Sequence, residues 1–205
     1  MAVLVLIFGL QSWTKADDIR DFEIEGISLG DSALDFFTES HIKKNTWDYY
    51  DDKTFTPVQN DKLTFFKTYD AVDFNYKTGD KKYIIYSLNG VLFFEKNIKD
   101  CYPKMEEIFE QLSDSFTDAK ILEKQVSYAP WDKKSKKTSY DFEFDSGAIS
   151  VACYDYSKES SDMDHLAVEL SISEFRIWRR DKAYNWSCTN DHHNHVPCGV
   201  VWRYR

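Results

Sequence analysis

The sequence predicts an α+β fold in which a mainly antiparallel sheet packs on one principal helix, with short helices toward either end. Three observations predict it. Several segments alternate apolar and polar residues with a period of two, the pattern of strands with one buried and one wetter face, which belongs to antiparallel sheets. A single stretch near residue 100 repeats apolar residues at spacings of three and four, as one face of a helix requires. The chain has 205 residues, 42% of them apolar and 17% aromatic, enough for one domain with a real core in which Phe and Tyr carry much of the packing.

Residues 1–10 are nearly all apolar, and polarity rises at Gln11 and Ser12. Ten residues are too few to cross a bilayer, which takes about 20. The run suits the apolar region of a secretory signal, with Thr14-Lys15-Ala16 as the cleavage site before Asp17. The expected organisation is a signal peptide over residues 1–16, a single α+β domain over 17–184, and a basic tail over 185–205 that holds Cys, His and Trp. Cleavage removes one Lys and no acid, so the net charge of −9 becomes −10. An acidic body of this kind argues against nucleic acid as a partner. No second long apolar run exists, so the mature chain is expected to carry no transmembrane segment.

The first element after the signal is Phe22-Glu23-Ile24-Glu25-Gly26-Ile27-Ser28-Leu29, which reads as a short strand. Asp31 or Ser32 is a natural N-cap for a helical turn over 33–37, and Thr38 opens a second short helix ending near Asn45. Val72, Phe74 and Tyr76 then alternate with Asp73, Asn75 and Lys77. Tyr83 to Leu88 and Val91 to Phe94 flank Asn89-Gly90, a pair that tolerates positive φ and so predicts a hairpin turn. Over 100–116, Cys101, Met105, Ile108, Leu112 and Phe116 share one helical face. Asp100 is expected as N-cap, which puts Pro103 in the first turn, where no N–H is needed. Tyr140, Phe142 and Phe144 alternate with acids, Ser146-Gly147 makes a turn, and Ile149, Val151 and Cys153 follow on one face. Leu166, Val168, Leu170 and Ile172 form another alternating strand, and a last short helix is expected over 174–184.

The run from Asp21 to Ser32 resembles the start of a family of exported proteins from streamlined marine alphaproteobacteria. So do Thr68-Tyr69-Asp70-Ala71-Val72, Lys82-Tyr83-Ile84-Ile85-Tyr86, and Cys101-Tyr102 with Lys104-Met105. The resemblance extends to about Tyr184 and is absent from the tail. It implies a periplasmic or secreted location and no particular activity.

Four cysteines in an exported chain point to disulfides. Cys101 and Cys153 lie on the apolar faces of helix and sheet, so docking one on the other brings them together. Cys188 and Cys198 would close a small loop in the tail.

Gly30-Asp31-Ser32 and the later Asp162-Met163-Asp164-His165 resemble the first and last blocks of the GDSL (SGNH) ester hydrolases. In that family the Ser is the nucleophile and the Asp-x-x-His supplies the orienting acid and the base, here Ser32, Asp162 and His165. Against this, the Gly-x-Asn-Asp block that would supply oxyanion donors is missing, the strands read as antiparallel, and Ser32 works equally as a helix cap. In the tail, Cys188, His192, His193, His195 and Cys198 offer zinc- or copper-type ligands in eleven residues, at a spacing that matches no standard finger. Lys133-Lys134-Ser135-Lys136-Lys137 reads as a solvated hairpin loop. No cofactor is expected. The expected function is a non-catalytic exported (periplasmic) protein that binds another envelope component, either a protein or a small ligand. The alternative is the ester hydrolase.

Overall fold

The structure, a computed structural model, describes residues 18–182 apart from 62, 96, 130, 131 and 161. Residues 1–16, expected as a signal peptide, and the tail with its cysteines and histidines therefore lie outside the described residues.

Seven antiparallel strands form one sheet. They are β1 (Phe55–Asp61), β2 (Ala71–Lys77), β3 (Ile85–Phe93), β4 (Lys120–Tyr128), β5 (Lys136–Phe144), β6 (Gly147–Asp155) and β7 (His165–Ile172). Their order across the sheet is β1-β2-β3-β7-β6-β5-β4. The chain thus lays down two meanders, β1 to β3 and β4 to β7, which meet where β3 pairs with β7. Helix α2 (Cys101–Ser115) carries the chain from the first meander to the far edge of the second. The other helices are α1 (Glu39–Asn45) and α3 (Ser173–Asp181).

The first face of the sheet presents Val58, Val72, Phe74, Leu88, Val168, Leu170, Ile149, Val151 and Phe142. All are buried in one cluster with the N-terminal segment and α2. Cys101, Met105, Leu112 and Phe116 point inward as their spacing predicts, while Ile108 is only partly buried. Cys101 and Cys153 sit with Cα atoms 6.1 Å apart and their sulfurs at bonding distance. The second face carries α3, whose Phe175 and Trp178 pack with Tyr50 and Phe55 in a separate aromatic cluster. The α+β character and the antiparallel sheet are therefore as expected. A single principal helix is not the plan: the sheet dominates, and helical segments lie on both faces.

Two local expectations fail for identifiable reasons. Residues 22–29 are not a strand. Ile24 and Ile27 bond each other across a tight turn in which Glu25 and Gly26 both have positive φ, 56° and 79°. A glutamate is unusual there. Its carboxylate accepts three backbone N–H bonds, from Lys67, Thr68 and Tyr69 at 2.6–2.9 Å, and these hold the turn against the segment before β2. Nor do Asn89 and Gly90 make a turn. They lie inside β3, which runs unbroken from Ile85 to Phe93. Gly90 is required by packing: a Cβ there would come within 2.8 Å of the Tyr69 ring. The Lys133–137 run is also only partly a loop. Ser135 is buried, and Lys136 and Lys137 begin β5.

Candidate functional site

The proposed hydrolase residues are not brought together. Ser32 bridges to Ile84 beside the start of β3, where its Oγ donates to the Lys82 carbonyl at 2.7 Å and caps the Leu34 N–H. His165 pairs with Phe93 at the other end of β3. Nine residues of extended chain between Ile84 and Phe93 put roughly 30 Å between those positions. Asp162 accepts from the Ser160 hydroxyl and does not orient the His165 ring, whose Nδ1 lies 2.9 Å from the Met163 carbonyl. Ser32 is thus a cap and His165 a core residue.

His165 is fully buried, stacked on Tyr154 at 4.6 Å with Tyr156 and Phe93 nearby. Burial lowers its pKa from 6.5 to about 4, only partly opposed by the Met163 carbonyl. The unfolded imidazole therefore binds a proton below pH 6.5 that the folded one refuses until about pH 4. Its stabilising contribution is complete above pH 6.5 and is lost as the pH falls through that window, by about 3 kcal/mol in all. Urea titrations at pH 7 and pH 4 should show this loss in the parent protein and a clearly smaller one in His165→Phe. Equal losses would mean that other groups govern the acid limb.

A belt of polar residues crosses the second face through six strands, one side chain from each. Cross-strand partners run in order Gln59, Asp73, Asn89, Glu169, Ser150 and Asp141. An adjoining row holds Asn75, Ser87 and Ser171. Asp73, Asn89 and Glu169 are buried, as are Asn75, Ser87 and Ser171 in the adjoining row, and buried polar groups call for partners within the fold. Arg179 of α3 forms an ion pair with Glu169, and the Tyr50 hydroxyl donates to Asn75 at 3.2 Å. Lys137 joins from β5, with Nζ 3.5 Å from Ser150 Oγ. Burial opposes the Lys137 ammonium, but Tyr154 together with Asp141 and Glu169 outweighs it, so its pKa stands above the ordinary lysine value. Asp52 tethers the same helix from the other side, accepting from Thr54 and from the Trp178 indole. Those bonds hold its carboxyl at about 2. This belt fixes α3 on the sheet. Nothing in the sequence pattern announced it, because its members sit on six different strands.

The sheet's two edges differ sharply. At β1, Thr46 bridges to Val58, the Trp47 N–H donates to the Pro57 carbonyl, and Pro57 itself has no N–H to offer. That edge is covered. At β4, seven of nine residues are exposed, including Ile121, Val126 and Tyr128, three of the most exposed large apolar side chains among the described residues. The N-terminal half of β4 carries the usual protections: a bulge between Leu122 and Gln125, and Lys120 and Lys124 in ion pairs with Glu143 and Glu106. The other half, Gln125–Tyr128, has no charge and pairs regularly with β5.

Backbone direction along that half follows from one bond. The Ala129 N–H donates to the Ser135 carbonyl, so Ala129 faces β5. Antiparallel residues alternate between bonded and non-bonded pairs. Ser127 and Gln125 therefore also bond inward, and Val126 and Tyr128 turn their N–H and C=O groups outward from the sheet.

Comparison with protein-family models, with curated proteins and with solved structures finds no match to this chain. Among the described residues no cluster of three or more His, Cys, Asp or Glu is placed to hold a metal ion, and no helix is long and apolar enough to cross a membrane. The tail ligands Cys188, His192, His193, His195 and Cys198, and the Cys188–Cys198 pairing, lie outside the described residues.

Proposed function

We propose that this is a non-catalytic exported protein that assembles with another protein of the cell envelope by accepting an extended strand at the β4 edge. The open half of β4 carries the proposal. Outward backbone groups at Val126 and Tyr128, flanked by exposed apolar side chains, form a template for strand addition, a recurrent mode of protein recognition. A chain that covers one sheet edge and leaves the other open has an asymmetry that recognition would use. Export is supported by the apolar run over residues 1–10 and by the Cys101–Cys153 pair, since disulfides persist in oxidising compartments. The resemblance to exported proteins of marine alphaproteobacteria agrees with that location.

The test is photo-cross-linking in the native envelope. A photoreactive phenylalanine analogue at position 128 should give an adduct of one discrete mass, and the same group at exposed Lys81, in the β2–β3 connection, should not. Val126→Pro should abolish the adduct while leaving the melting temperature nearly unchanged, because the N–H it removes points away from β5. Equal labelling at both positions, or none at 128, would refute strand addition.

A further inference from the structure

We infer that the strand received by β4 is β4 of a second molecule of this chain, paired antiparallel about a two-fold axis at Ser127. This rests on the strand-addition reading and names the envelope protein that supplies the strand.

The contrast between the two sheet edges argues for it first. With β1 covered and β4 open, each molecule has one edge to which a strand can add. Pairing β4 with β4 removes both open edges at once, and the covered β1 edges stop growth at two molecules.

The open half of β4 also fits itself in one register. Val126 and Tyr128 turn their backbone groups outward, so each calls for an opposing residue that does the same. With Ser127 on the axis, Val126 lies opposite Tyr128 of the second copy, and Tyr128 opposite its Val126. The two pairs then exchange four backbone bonds. Moving the axis to Tyr128 sets Val126 against Pro130, which has no N–H to donate. Moving it to Val126 sets Tyr128 against Lys124, which lies in the bulge and is paired with Glu106.

Side chains and charge agree with that register. Val126 and Tyr128 share the first face, where they are 56% and 59% exposed. An axis perpendicular to the sheet keeps first face with first face, so each Val126 meets a Tyr128 ring directly across the join. Aromatic and β-branched residues are favourable cross-strand neighbours. Helix α2 does not obstruct them, because it packs mainly on β6, two strands in from the edge. Five strand spacings, about 24 Å, would separate the two copies of α2. The half of β4 that pairs is uncharged. Antiparallel directions send Glu123 of one copy toward Lys133 and Lys134 of the other and away from its own counterpart. Asp132 in that turn is occupied by the Ser135 hydroxyl and the Lys134 N–H.

Sedimentation of the purified protein over a range of concentrations should show a reversible dimer, with the micromolar dissociation constant that suits a small contact. Val126→Pro should weaken it at least tenfold with the melting temperature nearly unchanged. A charge swap at the same exposed positions reads the register. Val126→Glu/Tyr128→Glu and Val126→Lys/Tyr128→Lys should each be monomeric, since like charges then face each other across the join, and an equimolar mixture of the two should dimerise. The photo-adduct at position 128 should have twice the mass of the chain. An adduct of any other mass would overturn the second copy and leave strand addition standing, whereas no adduct would defeat both. A protein that stays monomeric at millimolar concentration, a dimer indifferent to Val126→Pro, or a mixture no more dimeric than either variant alone would each overturn the inference. So would slow amide exchange at Val126 and Tyr128 in the dilute monomer, which would show that the chain itself covers the edge.

Discussion

Cys153→Ala lowers the stability of the folded protein by about 4 kcal/mol, and reductant does the same to the parent protein. The bridge joins residues 52 apart, tying the first turn of α2 to the C-terminal part of β6. In the chain-entropy account, closing a loop of that length removes freedom from the unfolded ensemble worth about 4 kcal/mol at 25 °C. The native state offers little to reduce this. Both cysteines are fully buried in the main cluster, and the residues around them are ordinary core side chains. A loss of that size is a large share of a domain's usual margin of about 5–15 kcal/mol. Urea unfolding with and without reductant measures it. The transition midpoint should fall and the slope should rise, because an uncrosslinked unfolded chain exposes more surface. The expectation fails if reductant leaves the midpoint in place, or if thiol titration of the native protein finds Cys101 and Cys153 free.

Arg179→Met costs about 3–5 kcal/mol, the usual range for breaking a buried ion pair from one side. Glu169 is 6% exposed at the centre of the polar belt, and the guanidinium of Arg179 is its ion-pair partner. Removing the cation strands a carboxylate among Asn89, Ser150 and Tyr154, with Lys137 as the nearest remaining compensation. The double variant Arg179→Met/Glu169→Gln should recover most of the loss, since no uncompensated charge then remains buried. Chemical denaturation of the four proteins gives the coupling energy directly. Additive losses would show that Arg179 acts by packing on Phe175, over whose ring it lies at 5.5 Å, and not by its charge.

Much of the centre of the fold was legible in the sequence. Strands β2, β5, β6 and β7 show clear alternation, and α2 shows its face at the expected spacings. Thr38 caps α1 through the His41 N–H as its position suggested. The cysteine pairing followed from placing both sulfurs on apolar faces. The two strands that went unread, β1 and β4, are the two edges of the sheet. Pro57 interrupts the strand pattern in β1, and β4 is exposed on both faces and so has no buried side to set a period. Asn89-Gly90 misled for the opposite reason. In a strand buried on both faces the usual contrast disappears, and a glycine chosen for the Tyr69 ring looks the same in sequence as one chosen for a turn.

By itself, then, the sequence determined the α+β class, the antiparallel central strands, the main helix and the bridge that fastens it. These rest on local periodicity, which side-chain burial imposes residue by residue along the chain. Only the tertiary structure decided which strand would be left at the open edge, and that Ser32 and His165 would stand at opposite ends of β3. It also decided that six polar side chains from six strands would line up across the face that carries α3. Those features depend on strand order and register. Pairing between residues far apart in the chain fixes both, and no short stretch of sequence records them.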